Sequence, residues 1–195
     1  MARKVSISKD VILEAALKML IRDGYSAINI KTLAAEIGCS TQPLVWHFEN
    51  MEGLRYALAQ YARDYANKKN PATTSSKTSA DAFEYLGMNY VKMAIKEPNL
   101  FKFLYLGESP MGRPFILKDL SDGVGGEKII SGIAHETGMN AEQATRVVQN
   151  TIIYSHGIAT MLATGVFKAT EKQVMAMIKN VSEAFVRNEL EGRHE

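Results

Sequence analysis

Apolar residues recur along most of this chain at three- and four-residue spacing, the period of an α-helix that turns one face inward. In the first segment Ile12, Ala15, Ala16, Met19 and Leu20 share a face, and Gly24 stands where such a helix stops. Leu54, Leu58, Tyr61, Ala62 and Tyr65 repeat in the same way and predict a helix over 50–68. From 80 to 97 apolar residues occur nearly all round, as in a helix buried on several sides. Pro98 punctuates it and opens a short helix over 99–106. Helices over 141–165 and 171–190 carry start signals of their own. Asn140 with Gln143, and Thr170 with Gln173, each pair an N-cap with an amide that reaches back. Two stretches break the pattern: 70–81, rich in Ser and Thr, reads as a linker, and 107–126, with Pro110, Pro114 and five glycines, as irregular chain with room for one short helix. No alternating β-branched run competes and no internal repeat is evident, so the expected fold class is all-α.

The stretch 29–48, NIKTLAAEIGCSTQPLVWHF, holds two short helices in close succession. Asn29 is placed to cap the first, with Leu33 and Ala34 inward. Gly38 permits a tight turn because it reaches positive φ without a Cβ penalty. Ser40 can cap the second, and Pro43 is tolerable in a first turn, where backbone N–H groups lack helical partners. Two helices joined this way form a helix-turn-helix, whose second helix enters the DNA major groove and meets base edges with its first residues. Thr41 and Gln42 occupy those positions. A glutamine can bridge adenine N6 and N7, and a threonine can meet a thymine methyl. Trp46 offers its indole N–H to a phosphate, or its ring to a sugar or to the helix packing. His47 and Lys31 are candidate phosphate contacts, which set register without reading sequence. Phe48 reads as core.

In order along the chain stand an amphipathic helix ending in DGYSAINI, then LAAEIGCS, then the HF of VWHF, then a capped helix NMEGLRYAL. With these elements, residues 8–58 resemble the DNA-binding domain of the TetR family of bacterial transcriptional regulators. The resemblance implies a three-helix helix-turn-helix domain over 1–50, followed over 51–195 by a helical ligand-binding and dimerisation domain. SHG at 155–157 is similar to a WHG motif of some members. Two positions depart from the family pattern: Val45 stands where a tyrosine is common and Met51 where a lysine is common. Both family residues usually grip phosphates, and each lost charged contact weakens binding and flattens its salt dependence. Arg3, Lys4, Lys31 and Arg55 are the compensating cations.

Charge narrows the picture further. The chain of 195 residues has 23 Lys and Arg against 21 Asp and Glu, which excludes attachment to nucleic acid by bulk charge alone. Residues 1–70 carry 10 basic against 7 acidic residues, so the small positive excess falls on the motif-bearing part. One cysteine, Cys39, leaves no internal disulfide and no cysteine-cluster metal site. The opening MARKVSISKD has no apolar signal region, so the expected location is the cytoplasm. Residues 147–167 lack any formal charge over 21 positions, about the length of a bilayer span. Gln149, Asn150, His156 and the threonines among them point instead to a helix buried in a bundle or at a subunit interface.

No catalytic constellation emerges. His156, beside Tyr154, has no nucleophile or carboxylate close in sequence; His135–Glu136 and His194–Glu195 lack metal-site spacing; and the glycines at 123, 125 and 126 do not form a phosphate loop. No enzyme activity, metal or cofactor is expected. Phe83, Tyr85, Met88, Tyr90, Met93, Phe101, Phe103, Tyr105, Met111 and Phe115 are candidates to line an apolar cavity. The resemblance makes this region the site of a small-molecule effector, with Met88, Met93, Phe101, Tyr105, Phe115, Tyr154 and His156 singled out. It implies a homodimer formed by helices 141–165 and 171–190, bound to a double-stranded, pseudo-palindromic operator and released by an inducer, with no membrane partner. Helix 50–68 is the expected mechanical link. Two other readings stand beside the repressor: an activator of the same fold, and a helical carrier or enzyme whose helix-turn-helix is only structural.

Overall fold

The computed structural model of the protein describes residues 7–69, 77–107 and 126–192. Arg3, Lys4, Met111, Phe115, His194 and most of the glycine-rich stretch lie outside them. Among the described residues there are nine α-helices and no strand, so the chain is all-α. It divides into two compact units, one within Met1–Lys69 and Glu97–Pro114, the other within Asn70–Lys96 and Phe115–Glu195.

The first unit contains α1 (Lys9–Asp23), α2 (Ile30–Ile37), α3 (Gln42–Phe48) and α4 (Met51–Lys69). Ser8 caps α1 by accepting the Val11 N–H at 3.3 Å, and the helix stops at Gly24 with φ 86°. Ile12, Leu13, Ala16, Leu17, Met19 and Leu20 face inward, and α2, α3 and α4 pack round them. Asn29 caps α2, and its backbone N–H is answered by the Thr32 hydroxyl at 3.0 Å, a reciprocal box that satisfies donors otherwise orphaned at a helix start. The short helix after Pro98 also belongs to this unit. It runs Pro98–Tyr105, and Leu100, Phe101 and Phe103 on it are fully buried. Asn99 docks it by donating to the Ile21 carbonyl at 3.2 Å. At its start the Glu97 carboxylate accepts the Tyr65 hydroxyl at 2.8 Å and the Lys69 ammonium at 2.6 Å, both from α4.

The second unit holds the helix α5 (Ser79–Lys96) and, with the Pro98–Tyr105 helix numbered α6, three more: α7 (Gly126–Thr137), α8 (Ala141–Ala163) and α9 (Glu171–Leu190). α5 begins inside the segment expected to be a linker, because the Glu136 carboxylate of α7 accepts the Ser79 N–H at 2.6 Å and the Ala80 N–H at 3.2 Å. Those bonds hold the Glu136 carboxyl below the usual carboxylate range. The capping boxes at Asn140 and Thr170 are both formed. Two apolar clusters make the core. One joins Ile133, Met139, Val147 and Val148, with Phe83 and Phe185 against it. The other joins Val91, Ile158, Val174 and Ile178, with Tyr154 and Leu162. Residues 147–163 therefore lie in a helix packed within a bundle, and no helix of the described residues is long and apolar enough to cross a membrane.

Candidate nucleic-acid interface

α2 and α3 are joined through Gly38, whose φ of 75° and ψ of 34° place it in the left-handed region that a tight turn needs. Ser40 does not cap α3. That helix starts after Thr41, whose side chain makes no capping bond, and Pro43 fills its first turn. Leu44 and Phe48 anchor it inward at 1% and 6% exposure. The opposite face carries Gln42, Val45 and Trp46, spaced i, i+3 and i+4 and all exposed, with Trp46 78% open to solvent. α4 follows almost at once. Asn50 accepts the N–H groups of Glu52 and Gly53 at 2.9 and 3.0 Å and so caps it. A Cβ at position 53 would overlap the Phe48 carbonyl oxygen, so glycine permits the close seating of α4 on the end of α3.

The candidate contact residues meet different surroundings. Thr41, Gln42 and Lys31 are exposed, and Lys31 sits in the first turn of α2. Arg55, exposed on α4, lies with its guanidinium 5.0 Å from the centre of the Tyr25 ring, which steers the cation without consuming its donors. His47 is half-buried, and its Nε2 is 2.8 Å from the Ile7 carbonyl. A carbonyl only accepts, so Nε2 donates to it. The ring ties the entry to α1 onto the recognition helix.

A family model described as "Bacterial regulatory proteins, tetR family" matches residues 12–58, which run from the first turn of α1 to the first turns of α4. Residues 12–58 therefore match the DNA-binding domain of the TetR family. The relatives agree with this. An HTH-type transcriptional regulator of Mycobacterium tuberculosis, Rv0681, is 35% identical over 57 residues, covering 29% of this chain and 26% of that protein. A second, YvkB of Bacillus subtilis, is 24% identical over 148 residues, covering 68% of this chain and 73% of its own length. The chain thus matches about a quarter of the first relative and nearly three quarters of the second. A TetR variant of Acinetobacter baumannii, crystallised in complex with minocycline, superposes with a TM-score of 0.55 at 14% identity. It covers 97% of this chain and 99% of that one, a likeness of fold. The matched stretch contains α2 and α3 as its helix-turn-helix pair, with α3 in the place of the recognition helix.

The residues singled out for a ligand fall in both units. Phe101 and Tyr105 belong to the first; Phe101 is fully buried in its core, and burial pushes the Tyr105 phenol up. Met88, Met93, Tyr154 and His156 belong to the second. Phe115 lies outside the described residues. His156 meets Tyr90 of α5, whose hydroxyl is 2.5 Å from Nδ1, and its neighbour Tyr154 packs against an apolar cluster. Burial pushes His156 below the ordinary histidine range. Sequence spacing could not pair two residues 66 positions apart. In the same unit the Asn89 amide nitrogen and the Thr151 hydroxyl are buried without a hydrogen-bond partner. No group of three or more His, Cys, Asp or Glu that could hold a metal occurs among the described residues.

Proposed function

We propose that the protein is a cytoplasmic, homodimeric repressor that holds a pseudo-palindromic operator and leaves it when a small organic effector occupies the second unit. The observation that carries this reading is the bare outer face of α3, Gln42–Val45–Trp46, on a TetR-family helix-turn-helix whose inner face is anchored by Leu44 and Phe48. Gln42 reads an adenine edge, Thr41 stands beside it, and Lys31 and Arg55 supply phosphate contacts. Trp46 reaches sugar or base from the same face.

Dimerisation is supported by α8. Its apolar residues Ile153 and Met161 are 55% and 41% exposed, with Gly157 exposed between them at four-residue spacing. A second copy of this stripe about a two-fold axis would cover it, as an isologous interface does. The effector reading rests on Asn89 and Thr151, because a buried polar atom left without a partner costs about 1–3 kcal/mol and a bound molecule can supply one. Met88 and Met93 on α5 give that region adaptable walls. The minocycline held by a protein of the same fold supports an organic effector.

Transmission follows the covalent path. α5 of the second unit runs into α6 of the first with only Glu97 between them, and Glu97 is gripped by Tyr65 and Lys69 of α4. An effector shifts this equilibrium only by its differential affinity for the two arrangements. The test is fluorescence anisotropy on duplexes selected from a random pool, titrated at several salt concentrations. Selected duplexes should bind far more tightly than scrambled ones, and Gln42→Ala should cost about 1–3 kcal/mol at its base pair. Equal binding to both kinds of duplex would remove the regulator reading.

A further inference from the structure

The outer face of α3 is mostly apolar, and this limits what it can recognise. Val45 is 46% exposed and Trp46 78%, on either side of Gln42 in the helical projection. Both stand on a helix seven residues long whose inward positions, Leu44 and Phe48, are already filled, so neither is needed to hold it in place. Val45 has no hydrogen-bonding group at all, and a phosphate cannot be gripped by it. The major groove offers one apolar group to a side chain, the C5-methyl of thymine, and it lies on the base pair whose adenine edge a glutamine bridges.

We infer that Val45 and Trp46 read thymine C5-methyl groups, so that the half-site of this protein carries A·T pairs on both sides of the adenine taken by Gln42. The inference rests on the operator-binding reading above and sharpens it. Where a side chain at position 45 could have held the DNA backbone, this chain holds a base methyl, and affinity is moved from salt-dependent charge contacts to sequence-dependent burial. The 5-methyl of cytosine occupies the same place in the groove and is a recognisable substitute.

The probe is the duplex selected by the protein from a random pool, remade with uracil for each thymine at the flanking positions, and remade again with cytosine or 5-methylcytosine paired to guanine. Uracil keeps every hydrogen-bonding group and removes only the methyl. Each uracil is expected to weaken binding about fourfold, the value of one buried methyl group. The 5-methylcytosine duplex should bind more tightly than its unmethylated counterpart by a similar factor. Val45→Ala and Trp46→Ala, both at exposed positions, should each discriminate less between thymine and uracil at its own flank while keeping the discrimination at the other. Trp46 is the single tryptophan of the chain, so its emission should shift on thymine duplex and shift less on uracil duplex. Selected half-sites without flanking A·T pairs, or equal affinity for thymine and uracil, would overturn the inference while leaving the regulator reading intact. So would variants that lose affinity for both duplexes equally. Failure to select any sequence would instead bring down the operator reading beneath it.

Discussion

Trp46 and His47 are chain neighbours with opposite surroundings, one open to solvent and the other bonded to the Ile7 carbonyl. Motif order makes both candidate DNA contacts, and the helical spacing that separates an outer from an inner face does not reveal a partner 40 positions upstream. The same limit applied to His156, whose polar partner came from α5 rather than from its own helix. A prediction at this scale follows from its depressed proton affinity. The unfolded chain binds the His156 proton first, so stability is undiminished above about pH 6.5 and declines as pH falls below that value. Urea midpoints measured between pH 5 and pH 7 should fall more steeply for the native chain than for His156→Gln, which keeps a hydrogen-bonding group for Tyr90. Superimposable profiles would show that His156 contributes nothing to the pH dependence.

Among the elements, those whose ends are marked by a polar residue and a partner three positions on were legible. The boxes at Asn140 and Thr170 formed as read, and the cap expected at Asn29 formed a box with Thr32. Local chemistry decides these positions, so no distant information is needed. α7 was not legible. It opens directly behind the glycine-rich stretch, and its own apolar residues Ile129, Ile130 and Ile133 gain meaning only against Val147 and Val148. The start of α5 was missed for a related reason, since the group that satisfies its first N–H donors is Glu136, on another helix. Removal of a local cap has a defined cost. Asn29→Ala should lower the stability of the first unit by about 1 kcal/mol, read as a reduced denaturant midpoint with an unchanged slope. The loss should also weaken DNA binding, because α2 is the helix on which α3 turns. An unaltered midpoint would mean that packing of Leu33 and Ala34 alone holds α2.

For the molecule as a whole, the apolar stripe of α8 was hidden in the sequence by the buried face beside it. Val147, Val148, Ile158 and Ala159 dominate the apolar pattern and are interior, whereas Ile153, Gly157 and Met161 are what a second copy could meet. Phe185, on the neighbouring helix, packs against an internal cluster, so its substitution would damage the unit itself. Ile153→Asp is the cleaner variant. It should leave thermal unfolding of a dilute sample little changed, shift the mass by light scattering from dimer towards monomer, and weaken operator binding by at least tenfold, through loss of the paired half-site. A variant that remains dimeric would move the interface elsewhere.

The first unit is stitched from two separated stretches of chain, with Leu100, Phe101 and Phe103 contributed from beyond the second unit's first helix. During synthesis the DNA-binding head therefore cannot complete its core when its own motif leaves the ribosome; it must wait until α6 has emerged. A fragment ending at Lys69 should accordingly give little cooperative unfolding, whereas one extended through Gly107 should regain it. Exchange of DNA specificity between such proteins by cutting at the end of the helix-turn-helix would leave a head with three of its largest interior side chains supplied by a stranger. Grafts that carry α6 along with α1–α4 keep the head's own interior together.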